Sequence, residues 1–229
     1  MVSSGVAGTE RTDGLGVMKT APEPPRVAGA APFVKEQGRL SFGQAVRGAM
    51  LRGVIPEMEA KVAEIGEHMR AGKLEALKPG EFGIVLGAEL ARALGVMYGE
   101  KLVIIAPQGQ VTPAGVVPRL KQFSVVGIFE VGMFEYDSGL ALIHLEDAQK
   151  LFQLGDAVSG VRLKLDDLYA ARTVAREIMV HFDSNTYAPD WTRSHPNFFR
   201  AVETESPVMF IILPLILSVA PFNNSPPRV

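Results

Sequence analysis

Short apolar runs separated by polar and glycine-containing segments recur along the chain, with the length expected of β-strands. The two strongest runs are Lys101–Ala106 and Phe123–Phe129, which contain several β-branched or aromatic residues. The same pattern predicts strands at Arg26–Val34, Phe82–Leu86, Leu140–Leu145 and Val158–Leu165, and a hairpin-like region over Gly38–Val54. A sheet therefore forms much of the predicted fold.

Other segments repeat their apolar residues at the three- to four-residue spacing of one helix face. This spacing predicts a helix over Glu57–Met69, which Ala71-Gly72 ends. Further helices are predicted at Ala88–Leu94, stopped by Gly95, and at Glu146–Leu154 and Leu168–Phe182. The mixture of strands and helices favours an α+β fold with a mixed sheet over a helical bundle or a sandwich.

The segment Pro107–Gln122 separates the two strongest strands and is the most unusual part of the pattern. It spans about 16 residues, whereas hairpin loops usually contain about 2–5. Its three prolines restrict the backbone, and Arg119 and Lys121 form a basic pair at its base. We expect either a stiff arm that docks a partner surface with little loss of entropy, or a long β-ribbon packed on its own domain.

The composition narrows the function classes. Of 229 residues, 47% are hydrophobic and 21% are charged, which is typical of a folded chain and not of a disordered one. The net charge of −2 offers no basic footprint for nucleic acid. The sequence has no cysteine, which excludes disulfides, thiolate metal sites and cysteine nucleophiles.

Candidate catalytic chemistry is sparse. The sequence contains no P-loop, dinucleotide fingerprint, nucleophile elbow or HExxH motif, and it predicts no cofactor. The strongest enzymatic reading joins Asp137, Ser138 and His144 near Glu135, and it requires these groups to lie within hydrogen-bond reach. The alternative for Glu135–Gly139 is a solvated hairpin turn. No metal site is predicted, because the four histidines lack ligand spacing: His68, His144, His181 and His195.

The composition changes near the C-terminus, where Val208–Phe222 contains no charged residue. This run is shorter than the roughly 20 apolar residues that span a bilayer. Pro214 and Pro221 also interrupt it, and each would remove a helix hydrogen bond. Taken alone, the run does not distinguish a membrane segment from a buried one.

A series of motifs carries a family resemblance through its order and spacing. The motifs are Ala28–Val34, Leu77–Glu81, Ile84–Gly87, Leu90-Ala91, Leu94–Val96, Thr112–Pro118, Phe123–Phe129, Leu145–Gln149 and Phe198–Glu203. Together they resemble the extracytoplasmic domain of the lipoprotein-releasing permeases, the LolC, LolE and LolF subunits of LolCDE-type ABC transporters. The resemblance covers Arg26–Phe222. It implies a MacB-like periplasmic core, in which a mixed-sheet porter-like subdomain carries an inserted small β-rich subdomain with a projecting hook loop.

The resemblance also implies domain boundaries. We expect a poorly ordered segment at 1–25, a discontinuous porter-like subdomain at 26–80 and 155–200, an inserted subdomain at 81–154 with a hook loop at 107–122, the start of a truncated transmembrane helix at 203–222, and a tail at 223–229 unlike the family. The family's first membrane helix is missing and its second is only begun. We therefore expect a fragment, or a sequence with errors at both ends.

The implied function is that of a transporter subunit without catalysis of its own. In the family, two permease subunits and two ATPase subunits extract lipoproteins from the inner membrane and pass them to the periplasmic carrier LolA. The implied partners are a LolD-like ATPase, a second permease subunit or a copy of this chain, LolA, and lipoproteins bound for the outer membrane. The domain would lie on the periplasmic face of the inner membrane. The alternative is a MacB- or FtsX-like domain that serves efflux or regulates cell-wall hydrolases.

The resemblance assigns two groups of carrier-binding residues. The proline-bounded hook maps to Pro107, Thr112, Pro113, Ala114, Gly115, Val116, Val117 and Pro118, and the polar pad beside it maps to Arg119, Leu120 and Lys121. The family's basic pad residue on the preceding strand matches Val103, which is apolar, and Arg119 and Lys121 are expected to substitute for it. Gly155–Asp167 looks more like the LolE type, which lacks the hook. The mixture suggests a LolF-type hybrid.

Overall fold

Ten β-strands form one mixed sheet in the computed structural model, which describes residues 5–13, 27–112, 115–165 and 186–187. The strands are β1 Gly5–Asp13, β2 Val27–Phe42, β3 Ala45–Val54, β4 Met69–Gly72, β5 Gly83–Gly87, β6 Lys101–Thr112, β7 Gly115–Phe129, β8 Leu140–His144, β9 Ala157–Leu165 and β10 Thr186–Tyr187. The helices of these residues are α1 Pro56–Val62, α2 Ala88–Leu94, α3 Phe134–Gly139 and α4 Leu145–Phe152, with short 3₁₀ turns at Ile65–His68 and Leu74–Ala76. The predicted α+β class with a mixed sheet is confirmed.

Six of the strands pair in a closed circuit, which we call the ring. Strand β2 pairs with β3, β3 with β8, β8 with β5, β5 with β7, β7 with β6, and β6 returns to β2. The pairs β3–β8 and β5–β7 are parallel and the other four are antiparallel. The closing contact is short and joins Val103–Ile105 of β6 to Arg39–Ser41 of β2. Closure pairs strand edges that would otherwise be open to other chains.

The ring strands bury apolar side chains on both faces. In β5, Ile84 and Leu86 belong to the larger apolar cluster, whereas Val85 belongs to a second, smaller one. This split follows from the period of two along a strand, which points successive side chains to opposite faces. All residues of β5 and β8 are buried, so both read as nearly continuous apolar runs.

Two predicted helices have different outcomes in the structure. Helix α2 ends at Gly95, which has the left-handed φ of 73° expected of a C-terminal glycine, so this prediction is confirmed. The helix predicted over Glu57–Met69 is wrong beyond Val62, where α1 ends. Met69 instead begins β4 and pairs with Phe129 of β7. Sheet pairing thus overrides the helical spacing of these apolar residues.

A buried ion pair connects helix α1 to strand β9. Nη1 of Arg162 donates to Oε1 of Glu59 at 2.6 Å, and both side chains are almost fully buried. Arg52 on β3 lies in the same charged cluster, where burial first and then the charge of Arg162 lower its pKa to about 10, although Glu59 opposes the shift. Arg52 therefore stays protonated at neutral pH; the Glu59 carboxylate hydrogen-bonds Arg162 and acts on Arg52 through its charge.

Some of the remaining predictions fall on residues that the structure describes, and others fall outside them. The segment 1–25 includes β1, which pairs with β9 and β10. The predicted hairpin over Gly38–Val54 and the strands that became β5, β8 and β9 are confirmed. The helix predicted at Leu168–Phe182 and the apolar run 208–222 lie outside the described residues. Within those residues, every helix is too short or too polar to span a bilayer.

Candidate functional site

The segment Pro107–Gln122 is not a long loop but a two-stranded ribbon, the secondary structure that one of the two alternatives for this segment expects. Strand β6 continues to Thr112 and β7 begins at Gly115, which leaves only Pro113 and Ala114 between them, outside the described residues. The β-branched residues Val111 and Val116 continue the strand pattern on either side of this tip.

The ribbon has two parts that are separated by an irregularity in the ladder. In the basal part, pairs run from Lys101↔Ser124 to Ala106↔Arg119; in the distal part, they run from Gln110↔Val117 to Thr112↔Gly115. Both Pro107 and Pro118 lie at the shift between the two parts, and both are exposed. A bulge tolerates proline because its residues need not donate to the ladder. The prolines that suggested a loop therefore mark the boundary between the two parts.

A shallow pocket of about 350 Å³ lies at the base of the ribbon. Its lining comes from three elements: the end of the turn before β5, strand β7 and helix α4. The lining residues are Phe82, Pro118, Arg119, Leu120, Lys121, Lys150 and Leu151. The structure therefore brings all three predicted pad residues together at one pocket, beside the second hook proline.

Each cation of the pocket has a distinct neighbour. The ammonium of Lys121 lies 3.8 Å from the centroid of the Phe82 ring, a cation–π contact. Nη2 of Arg119 donates to the side-chain oxygen of Gln153. Lys150 pairs with Glu146 at 3.8 Å across one helical turn. Among the described residues, only Lys150 of these three cations thus contacts a carboxylate, and the pocket carries a net positive charge.

Phe82 holds an unusual backbone conformation at the edge of the pocket. Its φ is +52°, in the left-handed region that costs a non-glycine residue about 1–2 kcal/mol. The fully buried carboxylate of Asp147 offsets this cost, because it accepts the N–H of Gly80 at 2.8 Å and that of Phe82 at 3.1 Å. The Phe82 ring also packs edge-on against Phe123, with centroids 5.4 Å apart. The core contact with Phe123 therefore fixes the position of the ring.

The catalytic reading of Asp137, Ser138 and His144 does not hold. The carboxylate of Asp137 is buried and accepts the N–H groups of Val131 and Gly132 at 2.9 and 3.0 Å. The Ser138 hydroxyl donates to the carbonyl of Phe134, and Nδ1 of His144 accepts the N–H of Glu146. Each group thus bonds the backbone, and no hydrogen bond joins two of them in the described structure.

The same contacts correct the interpretation of Glu135–Gly139 as a solvated hairpin turn. This segment lies within helix α3, and Asp137 is only 4% exposed. Asp137 is buried because its carboxylate satisfies two amides that precede the helix. A local turn signature in the sequence does not show such a contact.

Metal-binding residues do not cluster in the part of the chain that the structure describes, where no group of three His, Asp or Glu could hold an ion. Three pocket residues were missed by the sequence analysis: Phe82, Lys150 and Leu151. They lie far from the pad along the chain, and the left-handed φ of Phe82 has no signal in the sequence. Val103 pairs with Gln122 and Ser41 and does not line the pocket.

Comparison with known proteins agrees with the fold. Residues 2–179 match the profile of the MacB-like periplasmic core domain. The periplasmic region of MacB from Actinobacillus actinomycetemcomitans superposes with a TM-score of 0.57 at 12% identity, covering 88% of this chain and 92% of that one. The extracellular domain of the transporter YknZ from Gram-positive bacteria superposes with a TM-score of 0.51 at 10% identity, covering 82% of this chain and all of that one. The chain belongs to the family of MacB-like periplasmic core domains.

Within this family, the chain is similar to subunits of lipoprotein-releasing systems. It is 47% identical over 198 residues to the transmembrane protein LolC of Neisseria meningitidis serogroup B, covering 86% of this chain and 48% of that protein. It is 27% identical over 201 residues to LolE of Haemophilus influenzae, covering 87% of this chain and 48% of that protein. The chain therefore spans about half the length of the curated relatives it matches, and the resemblance to lipoprotein-releasing permeases is confirmed.

Proposed function

We propose that this chain is the periplasmic part of a LolC-type permease subunit in a lipoprotein-releasing ABC transporter, and that its β6–β7 ribbon docks the periplasmic carrier LolA. The observation that supports docking is the distal part of the ribbon, Gln110–Val117, whose two strands pair only with each other among the described residues. A preformed arm set off by two prolines loses little entropy on binding. The LolC type is favoured over LolE because of the higher identity.

The proposal assigns no chemical step to this chain. An ATPase subunit would supply the free energy, and a second permease subunit, or a copy of this chain, would complete the transporter in the inner membrane. The domain would lie on the periplasmic face and receive LolA, so that lipoproteins pass to the carrier and on to the outer membrane. In this arrangement, the hook Pro107–Pro118 and the pad Arg119–Lys121 form one docking surface.

The test is calorimetric titration of the full chain with its cognate LolA. In one variant, Gln110–Val117 is replaced by Gly-Gly, which keeps the basal ladder up to the Ala106↔Arg119 pair. A matched control inserts Gly-Gly at the Gly43–Gln44 turn between β2 and β3, a hairpin turn outside the ribbon. We expect the first variant to lose at least about 100-fold in affinity, as hot-spot removal does, and the control to bind normally.

The outcome also separates the proposal from its alternatives. If the full chain binds LolA and both variants bind equally well, the ribbon is not the docking element. If the folded full chain does not bind LolA, docking is excluded, and a hook-less LolE-type role or a MacB- or FtsX-like role fits better.

A further inference from the structure

Three cations from neighbouring strands lie on one face of the sheet, and none of them lines the pocket at the base of the ribbon. Lys35 of β2 is the register partner of Arg52 on β3, and paired residues point to the same face. Arg162 on β9 pairs with Ala31 of β2, four residues before Lys35 and therefore on that face as well. Helix α1 packs on this face and contributes Glu59, whose carboxylate pairs with Arg162. We call Lys35, Arg52, Arg162 and Glu59 the cationic cluster.

The strand pairing places Lys35 and Arg52 close together. The N–H of Lys35 donates to Oγ of Ser159 on β9 at 2.9 Å, and in an antiparallel strand the N–H and C=O of one residue point to the same side. Toward β3, Lys35 and Arg52 therefore form a non-hydrogen-bonded pair, the kind with Cα atoms about 4.5 Å apart and the closer side chains. Like charges directly opposite each other are destabilising. A counter-ion between the two side chains would offset this repulsion.

The described residues leave Arg52 without an acceptor. Arg52 is half-buried, its Nε is enclosed, and no described residue accepts a hydrogen bond from its guanidinium. Oε2 of Glu59 is also buried without a partner, so Glu59 and Arg52 do not bond each other. Burial first, and then the charge of Arg162, lower the pKa of Arg52 to about 10. The cluster thus holds a cation that its own carboxylate balances only in part.

We propose that Lys35 and Arg52 bind one phosphate group, which belongs either to inorganic phosphate or to a phosphomonoester such as a lipid headgroup. The guanidinium of Arg52 offers a planar fork of N–H donors to two phosphate oxygens, and the Lys35 ammonium pairs with the third. Lys35 is exposed, so the ligand approaches from the solvent side of the pair. The inference goes beyond the proposed docking function, and it uses no residue of the hook or the pad.

The charge of the cluster favours phosphate over a carboxylate. Three cations, Lys35, Arg52 and Arg162, face one carboxylate, Glu59, which leaves an excess of two positive charges (three minus one). A phosphomonoester carries about −1.5 to −2 charges at neutral pH and has three strong acceptor oxygens. A carboxylate carries one charge and would leave part of the excess uncompensated. Phosphate therefore matches both the charge and the number of donors.

The test is calorimetric titration of the full chain with inorganic phosphate in chloride buffer of constant ionic strength. Arg52→Gln removes the guanidinium, and Arg47→Gln is the matched control. Arg47 is exposed on the same strand, and its odd spacing from Arg52 places it on the opposite face. We expect wild type to bind one phosphate, Arg52→Gln to weaken binding about tenfold or more, and Arg47→Gln to change it by less than about twofold.

A second variant, Lys35→Gln, keeps the test decisive if Arg52→Gln fails to fold. Lys35 is exposed, so its substitution should leave the circular dichroism spectrum unchanged. We expect about a threefold or larger loss of phosphate affinity, because the third oxygen loses its cation.

A vesicle arm distinguishes the two sources of the phosphate group. The full chain is co-sedimented with phosphatidylcholine vesicles that contain or lack phosphatidic acid, whose headgroup is a phosphomonoester. Binding that requires both phosphatidic acid and Arg52 identifies a lipid headgroup as a ligand. Binding of inorganic phosphate without such vesicle binding identifies the free ion.

The inference is overturned if wild type binds neither inorganic phosphate nor phosphatidic acid vesicles. It is also overturned if Arg47→Gln weakens binding as much as Arg52→Gln or Lys35→Gln does, since the effect is then one of overall charge. Either result leaves the proposed docking of LolA untouched, because the hook and the pad lie outside the cationic cluster.

Discussion

The ring and the distal part of the ribbon share antiparallel pairing but differ in what surrounds it. A ring strand such as β5 has paired neighbours on both edges and apolar clusters on both faces. In the described structure, the distal pairs from Gln110↔Val117 to Thr112↔Gly115 have only each other as ladder partners. A lone hairpin is only marginally stable in water, whereas a strand with two paired neighbours and a buried face is well stabilised. The comparison teaches that the residues that stabilise the domain are separate from those proposed to dock the carrier, so each group is open to separate perturbation.

The largest effect is expected from Glu59→Ala, which affects the body of the domain alone. The change leaves Arg162 buried without its carboxylate partner and removes the negative charge that acts on the half-buried Arg52. Removal of one partner of a buried ion pair costs about 3–5 kcal/mol of unfolding free energy. Urea unfolding followed by circular dichroism measures this loss. Carrier binding by the remaining folded protein should be unchanged.

Glu57→Ala on the same helix is the matched control, because Glu57 is exposed. It should change the unfolding free energy by less than about 0.5 kcal/mol. Equal losses for the two variants would contradict a structural role for the buried pair. The double change of Glu59 and Arg162 to methionine should recover part of the stability, because it removes both charges together.

A smaller effect on stability, together with an effect on carrier binding, is expected from Asp147→Asn. The amide offers one acceptor oxygen where the carboxylate offers two, so the N–H of either Gly80 or Phe82 loses its partner. We expect a loss of about 1–3 kcal/mol in unfolding free energy. LolA affinity should fall as well, because the Phe82 ring is less well held.

Asp156→Asn provides the control, since Asp156 is exposed beyond the end of the same helix. A variant Asp147→Asn that loses stability but binds LolA with wild-type affinity would show that the position of Phe82 does not matter for docking. That result would mean that stability and carrier binding depend on separate residues even at the base of the ribbon.

The prolines of the ribbon should have a still smaller effect on stability. We expect Pro107→Ala and Pro118→Ala each to cost about 0.4–1 kcal/mol, since alanine gives the unfolded chain more freedom. In the double variant, the distal part gains freedom relative to the base, so LolA affinity should fall several-fold in calorimetry. Unchanged affinity would mean that stiffness at the register shift does not contribute to docking.

The smallest effect is expected from Glu146→Gln, which removes the carboxylate beside Lys150. A surface pair of this kind contributes about 0.3–0.5 kcal/mol, so stability should hardly change. LolA affinity should rise slightly, by about twofold, because Lys150 is then fully available to the partner. A decrease in affinity would contradict a favourable contact between Lys150 and the carrier.

The parts of the fold that the sequence predicted well are those with local signals. The continuous apolar runs of β5 and β8 and the glycine that ends α2 each reflect the residues of that element alone. The predictions at Met69 and Asp137 are wrong because distant or buried contacts decide them. Met69 is drawn into the sheet by Phe129, and Asp137 is buried by the amides that it binds.

The residues of the candidate site also differ in whether a local sequence signal or a distant contact groups them. Arg119, Leu120 and Lys121 are neighbours in sequence, and the family resemblance was enough to group them. Phe82 and Lys150 join them only through folding, because Asp147 brings the turn before β5 onto helix α4. A pocket assembled from three elements leaves no motif in any one of them.

The register shift in the ribbon has a consequence for how the arm changes over evolution. At the shift, the β6 residues between Ala106 and Gln110 lie opposite Pro118 alone. The register of the distal ladder is therefore independent of the register of the basal ladder. An insertion or deletion in the arm would be accommodated at this shift, and the ring would keep its own register. A single added residue would exchange the two faces of the arm, because side chains alternate with a period of two. A change in the arm's length or in the face it presents would therefore leave the pairing of the ring intact.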